Sequence, residues 1–162
     1  MNINKKLNLS KSLYTKGIQC KKALWLKKYK PEILTPPDAQ LQATFKTGNE
    51  VGALACGLFP NGREIPFKGT SFKEKISLTQ EWLDDGIKNI YEATFSFNDI
   101  LVMIDILHQN DDGTFEIYEV KSSTWNQNKT IDDIYHYIHD ISIQHYVLTN
   151  LGFQVSDAFI TL

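Results

Sequence analysis

The chain has 162 residues, 42% hydrophobic, 22% charged and 12% aromatic, with a formal net charge of −2. That length suits one domain with its own core, and the composition excludes a disordered chain. No apolar run nears the roughly 18–20 residues that span a bilayer, no apolar stretch follows the N-terminal lysines as in a signal peptide, and Cys20 and Cys56 are too few for a disulfide framework; a cytoplasmic protein with no membrane partner is expected.

The small net charge hides an asymmetry. Residues 1–31 hold nine of the 17 basic residues (Lys5, Lys6, Lys11, Lys16, Lys21, Lys22, Lys27, Lys28, Lys30) and no acid, leaving 8 basic against 19 acidic residues in the remainder. A basic arm beside an acidic body is compatible with nucleic-acid contact; a solvated lysine-rich helix is the alternative.

Ser10 is placed to cap a short helix that Gly17 ends or interrupts. Cys20 to Tyr29 reads as a second helix, with Ala23, Leu24, Trp25 and Leu26 as its apolar content. Pro31, Pro36 and Pro37 force an irregular connection. Over 39–58, Leu41, Phe45, Val51, Leu54, Ala55 and Leu58 recur at near-helical spacing. Pro60-Asn61-Gly62 is a turn, Arg63 to Phe67 a short strand, and 71–88 a helix ending near Gly86. Three strand-like runs follow, Ile90–Phe97, Ile100–Gln109 and Thr114–Ser122, joined by Asn98-Asp99 and Asp111-Asp112-Gly113, both favoured hairpin connections. Residues 131–150 read as a helix and Phe153–Leu162 as a last strand. The expected fold is α/β: helices first, then a mixed sheet with an antiparallel three-strand meander, a crossover helix and a final strand. One domain, 1–162, is expected, with a mainly helical, basic part over 1–89 and the sheet core over 90–162.

The turns fix a register. A two-residue loop at 98–99 pairs Phe97 with Ile100 and sets Glu92 opposite Asp105. A three-residue loop at 111–113 pairs Asn110 with Thr114 and sets Asp105 opposite Glu119. Three carboxylates then form one row across three strands, with directly opposed Cβ atoms ~4.5–5.5 Å apart. Asp105 shares its face with Leu101, Met103 and Leu107, and Glu119 shares its face with Phe115, Ile117 and Lys121, so the acids interrupt a surface that should pack against a helix. Clustered carboxylates there resist ionisation unless a cation compensates them. All-oxygen donors suit Mg²⁺ or Mn²⁺, and no Cys/His spacing fits zinc. Lys121 projects beside the row, where it can orient or help deprotonate a water or stabilise charge developing on phosphorus. The alternative is three ordinary positions on a wet face, and a slip of one residue in either hairpin breaks the row.

The same residues carry a family resemblance. Met103-Ile104-Asp105, thirteen residues, then Glu119-Val120-Lys121 resembles the PD-(D/E)XK nuclease pattern, with isoleucine in place of the nominal proline. RecB-like nucleases, among them the CRISPR-associated RecB-like exonucleases, carry a glutamine-led motif on the helix after the E-x-K strand. Gln144 matches the glutamine, while the usual tyrosine four residues later is Leu148 here. Leu9-Ser10-Lys11-Ser12 followed by Gly17-Ile18-Gln19-Cys20 is similar to the opening of many such nucleases, and Lys46 to Gly52 resembles the helix that often supplies a metal-binding histidine. That position is Gly52 here, leaving Glu92 or Glu50 as substitutes. The likeness spans roughly residues 9–155 and is greatest to bacterial RecB-like domains of unassigned function that begin larger proteins. Cys20 matches the early cysteine of relatives with a 4Fe-4S cluster, but the late three are absent, so no cluster is expected. The end at Leu162, in a strand, reads as a domain fragment with further C-terminal parts; a naturally short protein is the alternative.

The resemblance implies Mg²⁺- or Mn²⁺-dependent hydrolysis of DNA. Asp105 and Glu119 would be the principal metal ligands, Glu92 a further ligand or water-positioning base, Lys121 the catalytic lysine, and Gln144 a support for the site or a contact to the scissile strand. Lys11, Lys16, Lys21 and Lys22 would hold phosphates and make binding salt-dependent. Trp125, in a polar loop past the E-x-K strand, either packs or stacks on a base of single-stranded nucleic acid. On the 131–150 helix Tyr137, Ile141, Gln144 and Leu148 share a core-facing stripe, and Asp140 is one turn from Gln144, within hydrogen-bonding reach. His136, His139 and His145 read as surface or packing residues, and Trp25 and Trp82 as core. A non-catalytic nucleic-acid-binding module with the nuclease fold is the second reading, and a structural or regulatory domain stabilised by a bound cation is the third.

Overall fold

Two hairpins organise the molecule because their turns leave little freedom. Asn98 and Asp99 both adopt positive φ (48° and 60°), the two-residue connection that matches strand twist, and Gly113 (φ 85°) closes the second loop. The strands they join are β3 (Asn89–Phe97), β4 (Ile100–Gln109) and β5 (Phe115–Val120), as described by a computed structural model covering residues 9–128 and 130–162. Lys5 and Lys6 of the basic arm lie outside the described residues.

The strands β1 (Leu9–Ser10), β2 (Arg63–Glu64) and β6 (Val155–Thr161) complete a mixed, open six-stranded sheet. Its main path runs β2-β3-β4-β5-β6; β3, β4 and β5 are antiparallel, while β2, β6 and β1 join in parallel. Among the described residues five α-helices accompany it: α1 (Lys11–Gln19), α2 (Lys21–Tyr29), α3 (Ala39–Cys56), α4 (Phe72–Asp84) and α5 (Ile131–Asn150). The protein is therefore α/β. Among the described residues no helix is long and apolar enough to cross a membrane.

Caps set most helix starts. Ser10 accepts from the Leu13 amide, Asp38 from the Leu41 amide, and Ser71 with Glu74 forms a reciprocal capping box. After α4, Gly86 adopts φ 75° and turns the chain toward β3. Helix α5 is the crossover between β5 and β6, and it contributes Ile141, Ile143, Val147 and Leu148 to a core shared with Ile90, Ile104, Leu107 and Ile117. Helix α4 lies along β3, tied by the Thr94 amide donating to Thr79 Oγ1 at 3.0 Å.

Two expectations need correction, the strand over 63–67 and Trp25 as core, and two features of the fold are new. The strand over Arg63 to Phe67 is only two residues long, because β2 pairs with β3 only at Arg63–Ile90 and Glu64–Tyr91. On α3 the spaced apolar residues do not mark a buried face: only Ala55 is buried, and Leu41, Phe45, Leu54 and Leu58 are exposed. Trp25 is not core but 52% exposed, whereas Trp82 is half-buried against the core. Strand β1 was not anticipated, since two residues carry no periodicity to read.

The turn at 60–62 closes on Tyr91, whose hydroxyl donates to the carbonyls of Phe59 and Cys56. A Cβ on Gly62 would overlap the Tyr91 ring. Gly62→Ala is expected to destabilise the fold by about 1–3 kcal/mol. Urea unfolding should show a lower midpoint at unchanged slope.

Candidate functional site

The site begins where two strands part. The register of both hairpins is the expected one, Phe97 on Ile100 and Leu107 on Ile117, but the ladder between β4 and β5 stops at Ile106–Tyr118. One step further, Asp105 Oδ2 accepts the Val120 amide at 2.8 Å, so a carboxylate takes over where main-chain pairing ends. The same edge of β4 is occupied lower down by β1, through Leu9–Ile100 and Ser10–Leu101. Between β1 and β5 the edge is left open, and Lys11 enters that gap directly after the capping residue Ser10.

Glu119 lies at the closed end, only 1% exposed. Lys11 Nζ donates to both its oxygens, at 2.9 and 2.8 Å, and lies 3.9 Å from Asp105 Oδ1. Lys121 Nζ donates to Glu119 Oε1 and to Asp140 Oδ2, each at 2.6 Å, and sits over the Tyr137 ring. From α5, Gln144 Nε2 donates to Glu119 Oε2 and to the Asp140 carbonyl. Gln144 is fully buried, and its Oε1 has no partner. Burial alone would raise the Glu119 carboxyl, but the charges of Lys11 and Lys121 outweigh it and hold the group below the usual glutamate value. Burial likewise opposes the Lys121 charge, yet Glu119 and Asp140 hold its ammonium above the ordinary lysine value. Lys121 is therefore a fixed cation here.

The open end differs. Glu92 has φ 56°, a left-handed conformation that interrupts the ladder, so the expected Glu92–Asp105 pair is missing although the register on either side is kept. Glu92 and Asp105 instead line a cleft of about 290 Å³, together with Ser10, Lys11, Ser12 and Phe72. Burial, then the Asp105 charge, pushes the Glu92 carboxyl up to about 6. Burial, then the Glu119 charge, also raises Asp105. Glu92 thus feels the Asp105 charge and Asp105 the Glu119 charge, with the contacting ammonium groups of Lys11 and Lys121 at the Glu119 end.

The structure brings Glu92, Asp105, Glu119, Lys121 and Gln144 together. It also brings Lys11, whose ammonium is bound to Glu119 rather than projecting toward solvent. Lys16 is half-buried on α1, and Lys21 and Lys22 are exposed on α2, away from the carboxylates' hydrogen bonds. Trp125 is exposed. Glu50, the other substitute for the histidine position, is exposed on α3 beside Lys46 and does not line the cleft. Cys20 is exposed and Cys56 half-buried, both as free thiols. Gln144 bonds Asp140 through the main chain, leaving that carboxylate for Lys121. His139 bonds Tyr14 at 3.2 Å.

Sequence reasoning missed Lys75 and the ion pair that Asp140 makes. Asp140 pairs with Lys121 across the fork, whereas its spacing pointed only to Gln144. Lys75 is 2% exposed under the Phe67 and Phe72 rings, and its charge partly offsets the rise at Glu92; nothing in the spacing of a helix lysine marks it. Among the described residues no set of three His, Cys, Asp or Glu side chains stands in a metal-binding arrangement. No family model and no curated protein matches the chain.

Two outcomes follow for the metal-free protein. A carboxyl raised on folding takes up a proton between the unfolded and folded values, so its contribution to stability falls as pH rises through that window. Glu92→Gln should therefore be more stable than wild type by about 1 kcal/mol above pH 6, the gain fading toward pH 4.5. Denaturant melts in chelator across that range measure it. Lys11→Met should lose about 1–3 kcal/mol at pH 7, because Glu119 stays buried with one cation fewer.

Proposed function

We propose that this chain is a metal-dependent nuclease domain of the RecB-like PD-(D/E)XK kind, with a restriction-endonuclease-like core, that hydrolyses phosphodiester bonds in DNA. The observation carrying this reading is the meeting of Asp105, Glu119 and Lys121 at the parting of β4 and β5, with Gln144 of the following helix bound to Glu119. An ordinary wet sheet face does not bury a glutamate between two lysines.

The donor set fits a hard divalent cation in kind, since Asp105, Glu119 and Glu92 offer only carboxylate oxygens. A bound Mg²⁺ or Mn²⁺ would polarise a phosphoryl oxygen and acidify a water. The chain's own groups divide the remaining work. Lys121, held as an ammonium by Glu119 and Asp140, supplies positive charge to the developing oxyanion and does not act as the base. Glu92, at the open end, orients the attacking water and accepts its proton. Gln144 fixes the Glu119 carboxylate plane. Lysines of the N-terminal arm hold the flanking phosphates.

Purified protein should cleave labelled DNA with Mg²⁺ or Mn²⁺ and not in chelator. Asp105→Ala and Lys121→Ala should each lower the rate about 100-fold or more. Equal cleavage by all three proteins would remove the site.

One observation favours a second reading, a non-catalytic nucleic-acid-binding module with the same fold: the Lys11 ammonium already neutralises Glu119 and approaches Asp105. Tight DNA binding without cleavage in either metal would select it. The two readings also differ in titration calorimetry. If Lys11 only stands where a cation binds, Lys11→Met should bind Mn²⁺ about tenfold more tightly, one unit charge being removed at close range. Unchanged, absent Mn²⁺ binding in both proteins favours the module.

A further inference from the structure

Helix α2 carries a second cleft that the carboxylate site does not use. It measures about 400 Å³, within the range of small-ligand sites, and is lined by Leu9, Lys21, Leu24, Trp25, Lys28 and Tyr29. Trp25 and Tyr29, one helical turn apart, are 52% and 53% exposed, and their rings lie 5.7 Å apart at 39°. Unlike single exposed aromatics, which are ordinary, these two adjoin each other and Leu9 and Leu24 in one apolar patch, the kind that marks an interaction site. Here the lining holds Lys21 and Lys28, in a segment, residues 9–31, with seven lysines and no acid. The cleft also adjoins the carboxylate site along the chain, since Leu9 lines it while the next two residues, Ser10 and Lys11, line the cleft of Glu92 and Asp105.

We propose that this cleft is a base-stacking subsite for single-stranded nucleic acid, with Trp25 and Tyr29 against a base and Lys21 on the adjoining phosphate. Three features choose that occupant. Rings lining a concave cleft offer flat faces to a planar group, whereas a membrane-inserting element presents apolar side chains on a convex surface. The lysines match an anionic backbone that repeats beside each base. The shared Leu9–Lys11 stretch gives one strand a short path between the two clefts. This deepens the nucleic-acid half of the proposed function and rests on it, but needs no hydrolysis.

The test is equilibrium binding of the full chain, in chelator so that nothing is cleaved, to labelled oligothymidylate and to an abasic strand of equal length and charge. Wild type should prefer oligothymidylate by about 5- to 100-fold, the range for loss of one stacked base. Trp25→Ala should abolish most of that preference while leaving abasic binding unchanged, and Trp25→Phe should restore part of it. Lys21→Gln should weaken both strands alike and reduce the salt slope by about one. A wild type that does not distinguish the two strands, or a Trp25→Ala variant that keeps the full preference, overturns the proposal. So does binding to phosphatidylserine vesicles that depends on Trp25 while oligonucleotide binding does not, which would make the face a membrane contact. Preference without metal-dependent cleavage would remove the nuclease reading alone; cleavage with an indifferent Trp25 would remove the subsite alone.

Discussion

A carboxylate buried among isoleucines is tolerated only when its charge is met at contact distance, and Glu119 imposes that requirement on the whole molecule. Its partners come from three directions. Lys11 follows the first strand, Lys121 lies just past the end of β5, and Gln144 belongs to the crossover helix. Removing any of these elements would cost the buried carboxylate one of its partners. Docking of the N-terminal segment, the trajectory of the chain after β5 and the rotation of α5 are thereby tied to one group. Asp140 extends the tie, because Lys121 spans Glu119 and Asp140 and so links β5 to α5 by a charged bond as well as by apolar packing.

The cluster exists because the sheet is imperfect at one place. If β4 and β5 stayed paired past Ile106–Tyr118, Asp105 and Glu119 would project from a closed ladder. Instead the Asp105 side chain accepts the Val120 amide, and the free edge of β4 is shared between β5 and β1. On the opposite edge Glu92 is left-handed, so the β3–β4 ladder lapses at the same level. Both interruptions fall at acidic residues of one row. Strained or unpaired backbone at a functional position is a recurrent pattern, and here it opens the interior of the sheet to the cleft under Phe72.

The parts legible in the sequence were those fixed by local chemistry. Two-residue and glycine-ended turns set the register of both hairpins, and that register placed the three acids at one level. Apolar spacing gave α5 its full extent. What escaped depended on distant partners. Two-residue β1 has no pattern, and its role is visible only once β5 is seen to part from β4; Lys11, a member of a lysine-rich arm by sequence, becomes a half-buried counter-ion for that reason. Helix α3 was legible as a helix, but its burial was not. Its apolar residues recur at a helical period, yet Leu54 and Leu58 are exposed, because periodicity reports amphipathic character and not whether a partner surface exists. Trp25 was misread on the same ground, a large apolar side chain being assigned to the core by type alone.

The charges at the site are unevenly matched, and the mismatch has a direction. Glu92, Asp105, Glu119 and Asp140 face two contacting ammonium groups, those of Lys11 and Lys121. Both cations lie toward Glu119, whose carboxyl is held down, while burial and the Glu119 charge push Asp105 up, and burial and the Asp105 charge push Glu92 up. Lys75, beneath its two aromatic rings, offsets the Glu92 rise only in part. The unmet negative charge is therefore at the cleft, on the side open to solvent, and the buried end is already satisfied. Under the proposed reading an added cation gains most between Asp105 and Glu92, and its competitor for Asp105 is the Lys11 amine. A side chain with four rotatable bonds can yield that place without disturbing the strand that carries it, whereas Lys121, tied to β5 and to α5 at once, cannot.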